Sequence, residues 1–242
     1  MKSVIFGANG PTGRLATARA LAAGHSVVAV TRQPREFPIQ GRELTVVGAD
    51  VLDAAAVGDA VAGADAVVSV LGVPFTREMV ETYSVGTENI VAAMRAAGTT
   101  RLIVVSSTSV YPPRRQLAPL MLRLAEPIIT RTIGKTVYND MRRMEAIVIN
   151  SGLDWTVVRP SGLFDLPEPT KYVCGPIDPV GAFTARIDLA DYLISLVSDT
   201  ASVGRFVIVS TTEGAPTVLQ MIRREAFSAN ASKPESARPA SP

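Results

Sequence analysis

Between Ser3 and Val209, short apolar runs alternate with longer stretches in which apolar residues recur every three or four positions, a pattern that predicts strands alternating with amphipathic helices. Ser3 to Phe6 predicts a first strand. A glycine-rich turn follows, then Arg14 to Ala23, an Ala- and Leu-rich run that predicts a helix stopped at Gly24. Val27 to Thr31 and Leu44 to Val47 predict the next two strands, and Asp53 stands where a cap belongs for a helix through about Val61. Ala66 to Leu71 is nearly continuous apolar sequence, as expected of a strand covered on both faces. A longer helix is predicted over Arg77 to Ala97, where Met79, Tyr83, Ile90 and Met94 recur at near-helical spacing and Gly98 supplies the stop. Beyond it come strands at Leu102 to Ser106, Trp155 to Val158 and Arg205 to Val209, and helices at Tyr138 to Asn150, Asp188 to Val197 and Thr217 to Phe227.

This order predicts βαβ units and therefore an α/β fold with a mostly parallel sheet and helices on both faces. One domain over residues 1–227 is expected, with substrate-side insertions near 112–136 and 160–187. The first insertion begins with the paired prolines Pro112 and Pro113, and within it Leu117 to Ile129 predicts an amphipathic helix packed over the site; a lid or a helix lying on a membrane surface is the sharper alternative. The second, from Pro160 to Pro179, is dense in proline and glycine. Residues 228–242 are Ala, Ser, Pro and charge, a composition that cannot offset the entropy of ordering, so a disordered tail is expected.

Composition narrows the function. In 242 residues, 47% are hydrophobic, 19% are charged and the formal net charge is +2. That suits one substantial core, and the basic residues are too scattered for a nucleic-acid footprint. Cys174 is the single cysteine and His25 the single histidine, which argues against a disulfide, a clustered zinc site or a Ser-His-Asp triad, and no metal is expected. Cys174 reads as a small buried residue. No apolar window reaches membrane-spanning length and the chain runs from Met1 and Lys2 straight into its first strand, so a cytoplasmic protein without membrane association is expected. Oligomeric state is open.

The strongest local signal is Gly7-Ala8-Asn9-Gly10-Pro11-Thr12-Gly13, between the first strand and the first helix. Glycines let the backbone turn sharply and approach a diphosphate, while the amides and the positive dipole at the helix start favour an anion. The spacing is Gly-x-x-Gly-x-x-Gly, not the usual Gly-x-Gly-x-x-Gly. Arg32 lies about twenty residues on, where an acid would bond the ribose hydroxyls of NAD and a base accommodates the extra phosphate of NADP. Its guanidinium offers paired donors, Arg35 stands ready as a second, and NADP is expected ahead of NAD.

Taken with Asp50-Val51, the strand end from Val68 to Gly72, Val105-Ser106-Ser107 and the run from Ser151 to Pro160 (SGLDWTVVRP), these residues make the chain resemble atypical short-chain dehydrogenase/reductases, in the branch of NmrA-like proteins and biliverdin reductase B-type flavin reductases. The resemblance spans roughly Lys2 to Val209. It implies a Rossmann-type doubly wound sheet with a small C-terminal lobe, and a dinucleotide held by Gly7, Asn9, Gly10, Pro11, Thr12 and Gly13. It implies that Asp50 meets the adenine with Val51 as the apolar wall, that Leu71 and Gly72 pass the ribose and diphosphate, that Ser106 belongs to the cofactor site, and that Pro160 and Leu163 lie near the nicotinamide.

Short-chain dehydrogenases usually activate the substrate oxygen through Ser, Tyr and Lys. By resemblance Ser107 is the serine and Tyr138 the tyrosine, but four positions after Tyr138 stands Arg142, not Lys. Tyr138 then has two readings: an acid with an altered partner, or a core residue on a helix face shared with Met141, Met144 and Val148. The resemblance to the biliverdin reductase B type, which dispenses with the Tyr-Lys pair, implies an NADP-dependent reductase of a flavin, quinone or similar conjugated small-molecule acceptor. The alternatives are an NADP(H)-binding sensor of the NmrA-like kind without turnover and, third, a sugar-nucleotide-type epimerase or dehydratase.

Overall fold

A computed structural model of the chain describes residues 1–111 and 134–216. The strands are β1 (Lys2–Phe6), β2 (Ser26–Thr31), β3 (Leu44–Gly48), β4 (Ala66–Ser69), β5 (Arg101–Val105), β6 (Asp154–Pro160), β7 (Gly162–Phe164), β8 (Val173–Gly175), β9 (Phe183–Ala185) and β10 (Arg205–Ser210). The helices are α1 (Pro11–Ala22), α2 (Ala54–Val61), α3 (Ser84–Ala97), α4 (Lys135–Ile149) and α5 (Arg186–Ser195). Eight strands form one sheet in the order β3-β2-β1-β4-β5-β6-β10-β8, parallel except for β8 at the edge. Strand order reverses direction between β1 and β4, which makes the doubly wound, Rossmann-type arrangement.

The period-2 geometry of a strand divides the core in two. Val4, Phe6, Val28, Val30, Val67, Leu102 and Val104 face the layer made by α2, α3 and α4. Their neighbours Ile5, Val27, Ala29, Ala66, Val68 and Ile103 face the layer of α1 and α5, which pack side by side through Ala16, Ala20, Leu189 and Leu193. The small C-terminal lobe is the parallel pair β7–β9, whose Phe164, Phe183 and Ala185 close with Ile187 over Leu15 of α1.

Two expectations need correction. The helix predicted from Arg77 begins at Ser84: Met79 is 77% exposed, so the apolar spacing that included it was fortuitous, and the start is set by a carboxylate from another helix. Cys174 is exposed on the edge strand β8 rather than buried. The stretch from Pro160 to Pro179 carries β7 and β8. The helix at Thr217 to Phe227, the segment Leu117 to Ile129, the insertion from Pro112 to Ile133 and the tail at 228–242 lie outside the described residues.

Candidate functional site

At the carboxyl edge of the paired strands β1 and β4, where the strand order reverses, lies a cleft of about 600 Å³. Ligands of open α/β sheets bind in such a crevice. Gly7 leaves β1 with φ +78°, and a Cβ there would stand 2.7 Å from the Val70 carbonyl oxygen. Gly13 is closer still: a Cβ would fall 2.2 Å from the Gly7 oxygen, so only glycine lets the first turn of α1 close against the turn before it. The Gly10 N–H donates to Gly7 O at 3.0 Å and Arg14 N–H to Gly10 O at 2.9 Å, which leaves the amides of Thr12 and Gly13 in the helix's first turn, where no intrahelical acceptor exists. Asn9 Oδ1 accepts from Arg14 Nε at 3.0 Å, and Asn9, Gly10, Pro11 and Thr12 all line the cleft.

Toward the β2 end, Arg32 lines the cleft with an exposed side chain, and Arg35 sits exposed on the short turn Pro34–Glu36. Asp50 and Val51 form the next wall. Asp50 Oδ1 accepts the Leu52 N–H at 3.0 Å, shaping an Asx turn. Val51 is pinned from behind: a Cβ at Gly86 of α3 would meet its methyl groups at 2.8 Å, and Asn89 Nδ2 donates to its carbonyl at 2.9 Å. Leu71 and Gly72 line the cleft beyond β4, and Leu163 of β7 closes it from the lobe.

At the end of β5 it is Ser106 that lines the cleft, 4% exposed. Its Oγ donates to Glu145 Oε1 at 2.6 Å, and Glu145 accepts the Arg159 fork at 2.9 and 2.6 Å. Ser107, half-buried, starts the short turn Thr108–Val110 and its Oγ accepts from the Ser109 N–H at 3.1 Å. Pro160 is buried at the end of β6. Tyr138 is 9% exposed within the core shared with Met141, Met144 and Val148, its ring 5.8 Å from that of Phe75. Arg142 turns to other partners: Nε donates to Val110 O at 3.1 Å, Nη1 to Asn139 Oδ1 at 2.7 Å, and its guanidinium lies 5.9 Å from the Tyr111 ring centre.

Four functional candidates escaped the sequence reading. Tyr83 lines the cleft, accepts the Val73 N–H at 3.2 Å, and burial pushes its pKa up, with Asp140 and Tyr138 adding to the rise. Met141 also lines the cleft. Arg186, first residue of α5, lines it while bonding Asp165 Oδ1 at 2.8 Å, and no spacing rule marks it. Glu145 did carry a signal: an acid among Met141, Met144 and Val148 on a buried helix face requires a partner. Among the described residues lining the cleft, the cations Arg32 and Arg186 outnumber the single acid Asp50, a balance suited to an anionic ligand.

Comparisons with known proteins agree with this geometry. A family model described as NAD(P)H-binding matches residues 7–200. A Streptomyces griseus (4-alkanoyl-5-oxo-2,5-dihydrofuran-3-yl)methyl phosphate reductase is 31% identical over 157 residues, 65% of this chain and 46% of that protein. A Mycobacterium tuberculosis protein is 31% identical over 150 residues, 62% of this chain and 17% of its own length. The chain thus spans less than half the length of these curated relatives. Among solved structures, an oxidoreductase from Lactococcus lactis superposes with TM-score 0.73 at 20% identity, covering 98% of this chain and 100% of that one. A short-chain dehydrogenase/reductase from Veillonella parvula in complex with NADP gives 0.71 at 20%, covering 88% and 95%. An anaerobillin reductase from Escherichia coli O157:H7 gives 0.70 at 22%, covering 89% and 100%.

Proposed function

This chain belongs to the NAD(P)H-binding family, and on that premise we propose that it is an NADP-dependent reductase of a conjugated small molecule, with flavins and quinones as the acceptor class. The observation that carries the reading is the glycine cradle. At Gly7 and Gly13 a Cβ would occupy the space that the backbone itself fills, and the resulting turn offers the α1 amides to a diphosphate at the crevice where the strand order reverses. The residues fit a dinucleotide: Gly7, Asn9, Gly10, Pro11, Thr12 and Gly13 would hold its diphosphate, Arg32 with Arg35 the adenosine phosphate, and Asp50 and Val51 the adenine. Leu71 and Gly72 would follow the ribose, and Ser106, Pro160 and Leu163 the nicotinamide.

A nicotinamide cofactor supplies hydride chemistry when bound, and the chain's own part is to hold, orient and keep water out. Holding an aromatic acceptor against the cofactor can itself supply much of the rate enhancement. Ser107 is the residue we assign to the acceptor's polar group. The burial of Tyr138 and the commitment of Arg142 to Val110 and Asn139 favour this positioning mechanism over a tyrosine acid. A reductase among the sequence relatives and an NADP complex among the structural ones support it.

The same two residues favour one competing reading, an NADP(H) sensor that binds the dinucleotide without turnover. Stopped-flow oxidation of NADPH against a panel of flavins and quinones separates the two. Rapid oxidation with at least one acceptor is expected; tight NADPH binding with every acceptor left unreduced would establish the sensor instead.

A further inference from the structure

Behind the cleft floor lies a buried charged cluster that cradle and cofactor specificity do not call for. Glu145, 1% exposed, takes the Arg159 Nε at 2.9 Å, the Arg159 Nη2 at 2.6 Å and the Ser106 Oγ at 2.6 Å. The Arg159 guanidinium is itself fixed by two rings, 4.0 Å from the centre of Phe206 and 5.0 Å from that of Tyr111.

The cluster determines the direction of one hydroxyl. A carboxylate paired with arginine has only lone pairs to offer, so Ser106 must be the donor in its contact with Glu145, and its single proton points away from the cleft. The Ser106 backbone N–H is also committed, donating to Val158 O at 2.8 Å. What Ser106 can present to a ligand is therefore an acceptor. A substrate carbonyl or oxyanion requires a donor; an amide N–H₂ requires what Ser106 has.

Resting on the dinucleotide reading above, we propose that Ser106 accepts a hydrogen bond from the nicotinamide carboxamide N–H₂, and that Glu145 and Arg159 are positioning residues that keep the serine proton turned away. The assignment separates two adjacent serines: Ser106 orients the cofactor ring, while Ser107, whose Oγ accepts from the Ser109 N–H, is left for the acceptor.

The test compares the binding of NADPH with that of its reduced acetylpyridine analogue, in which an acetyl group keeps the carbonyl but removes the N–H₂, by fluorescence titration of the full chain. Wild type should bind NADPH about tenfold more tightly, the size of one hydrogen bond. Ser106→Ala should lower NADPH affinity about tenfold and leave the analogue unchanged, so that the two ligands bind alike. Equal affinities in wild type, or a tenfold preference that survives in Ser106→Ala, would overturn the proposal. Glu145→Gln addresses the positioning half, because its amide can donate to Ser106 and release the hydroxyl proton toward the cleft; the preference should shrink toward one, whereas Arg159→Lys, which keeps a cation beside Glu145, should retain it. A full preference in Glu145→Gln overturns that half. If NADPH does not bind wild type at all, the dinucleotide reading itself fails, a result distinct from binding without discrimination.

Discussion

Arg32 follows the end of β2 at the rim of the cleft, where Thr31 Oγ1 accepts the Gln33 N–H at 3.2 Å and turns the chain outward. A guanidinium so exposed contributes little to stability, and its value lies in the paired donors it offers a phosphate. Arg32→Ala should therefore leave the melting temperature nearly unchanged while cutting the preference for NADP over NAD about tenfold to a hundredfold, the range of a hydrogen bond to a charged group. Titration with both dinucleotides checks this; an unchanged ratio would assign Arg32 to the solvated surface. The places of such residues on the cleft were legible because they follow from chain order: a glycine turn after a strand, a base about twenty residues on. That of Arg186 was not, since the cleft acquires it through α5 from the far half of the chain, and Glu145, behind Ser106, showed in sequence only that it needs a partner.

At the scale of elements, α3 shows how one helix fixes another. Its first turn has no cap of its own, and Asp140 of α4, fully buried, supplies it by accepting the N–H groups of Tyr83 at 2.8 Å and Ser84 at 3.3 Å, together with the Ser84 hydroxyl. That partner stands 57 positions away from Tyr83, which is why the periodicity around Met79 placed the helix start too early. Asp140→Ala should cost about 2 kcal/mol, the upper range for losing a cap, seen as a fall of about 4–8 °C in melting temperature. Because Tyr83 lines the cleft, NADPH affinity should fall with it. A stable variant with unaltered binding would mean that water replaces the carboxylate. The other helices began close to their predicted places because their signals are local: Asp53 caps α2 by accepting from Ala55 and Ala56, and Gly98, in the left-handed region, stops α3.

Across the whole molecule, the two layers on the sheet bury several tyrosines. Burial pushes Tyr83, Tyr172 and Tyr192 above the ordinary tyrosine value, and Tyr172 is further raised by its hydrogen bond to Asp191. The folded chain thus holds these protons more tightly than the unfolded chain, which releases them near pH 10. Their contribution is fully present below that value and is lost as pH rises through the folded-state values. Denaturant midpoints should stay level to about pH 10 and then decline, with tyrosinate absorbance rising as the fold is lost; Tyr172→Phe should soften the decline, and a midpoint indifferent to alkali would refute this account. For the architecture, the alternation of strand and helix patterns was sufficient by itself. Each apolar run has to bury two faces, and the parallel order with helices on both sides is what such runs can build. The glycine turn, too, was decided locally, by backbone geometry that only glycine permits. Tertiary structure alone decided which polar groups meet in and behind the cleft: that Ser106 is backed by Glu145 and Arg159, that Asp140 starts α3, that Arg186 joins Arg32 among the cleft's cations. Those pairings join residues from 14 to more than a hundred positions apart, and a buried charge shows in sequence only that it needs a partner, not which one.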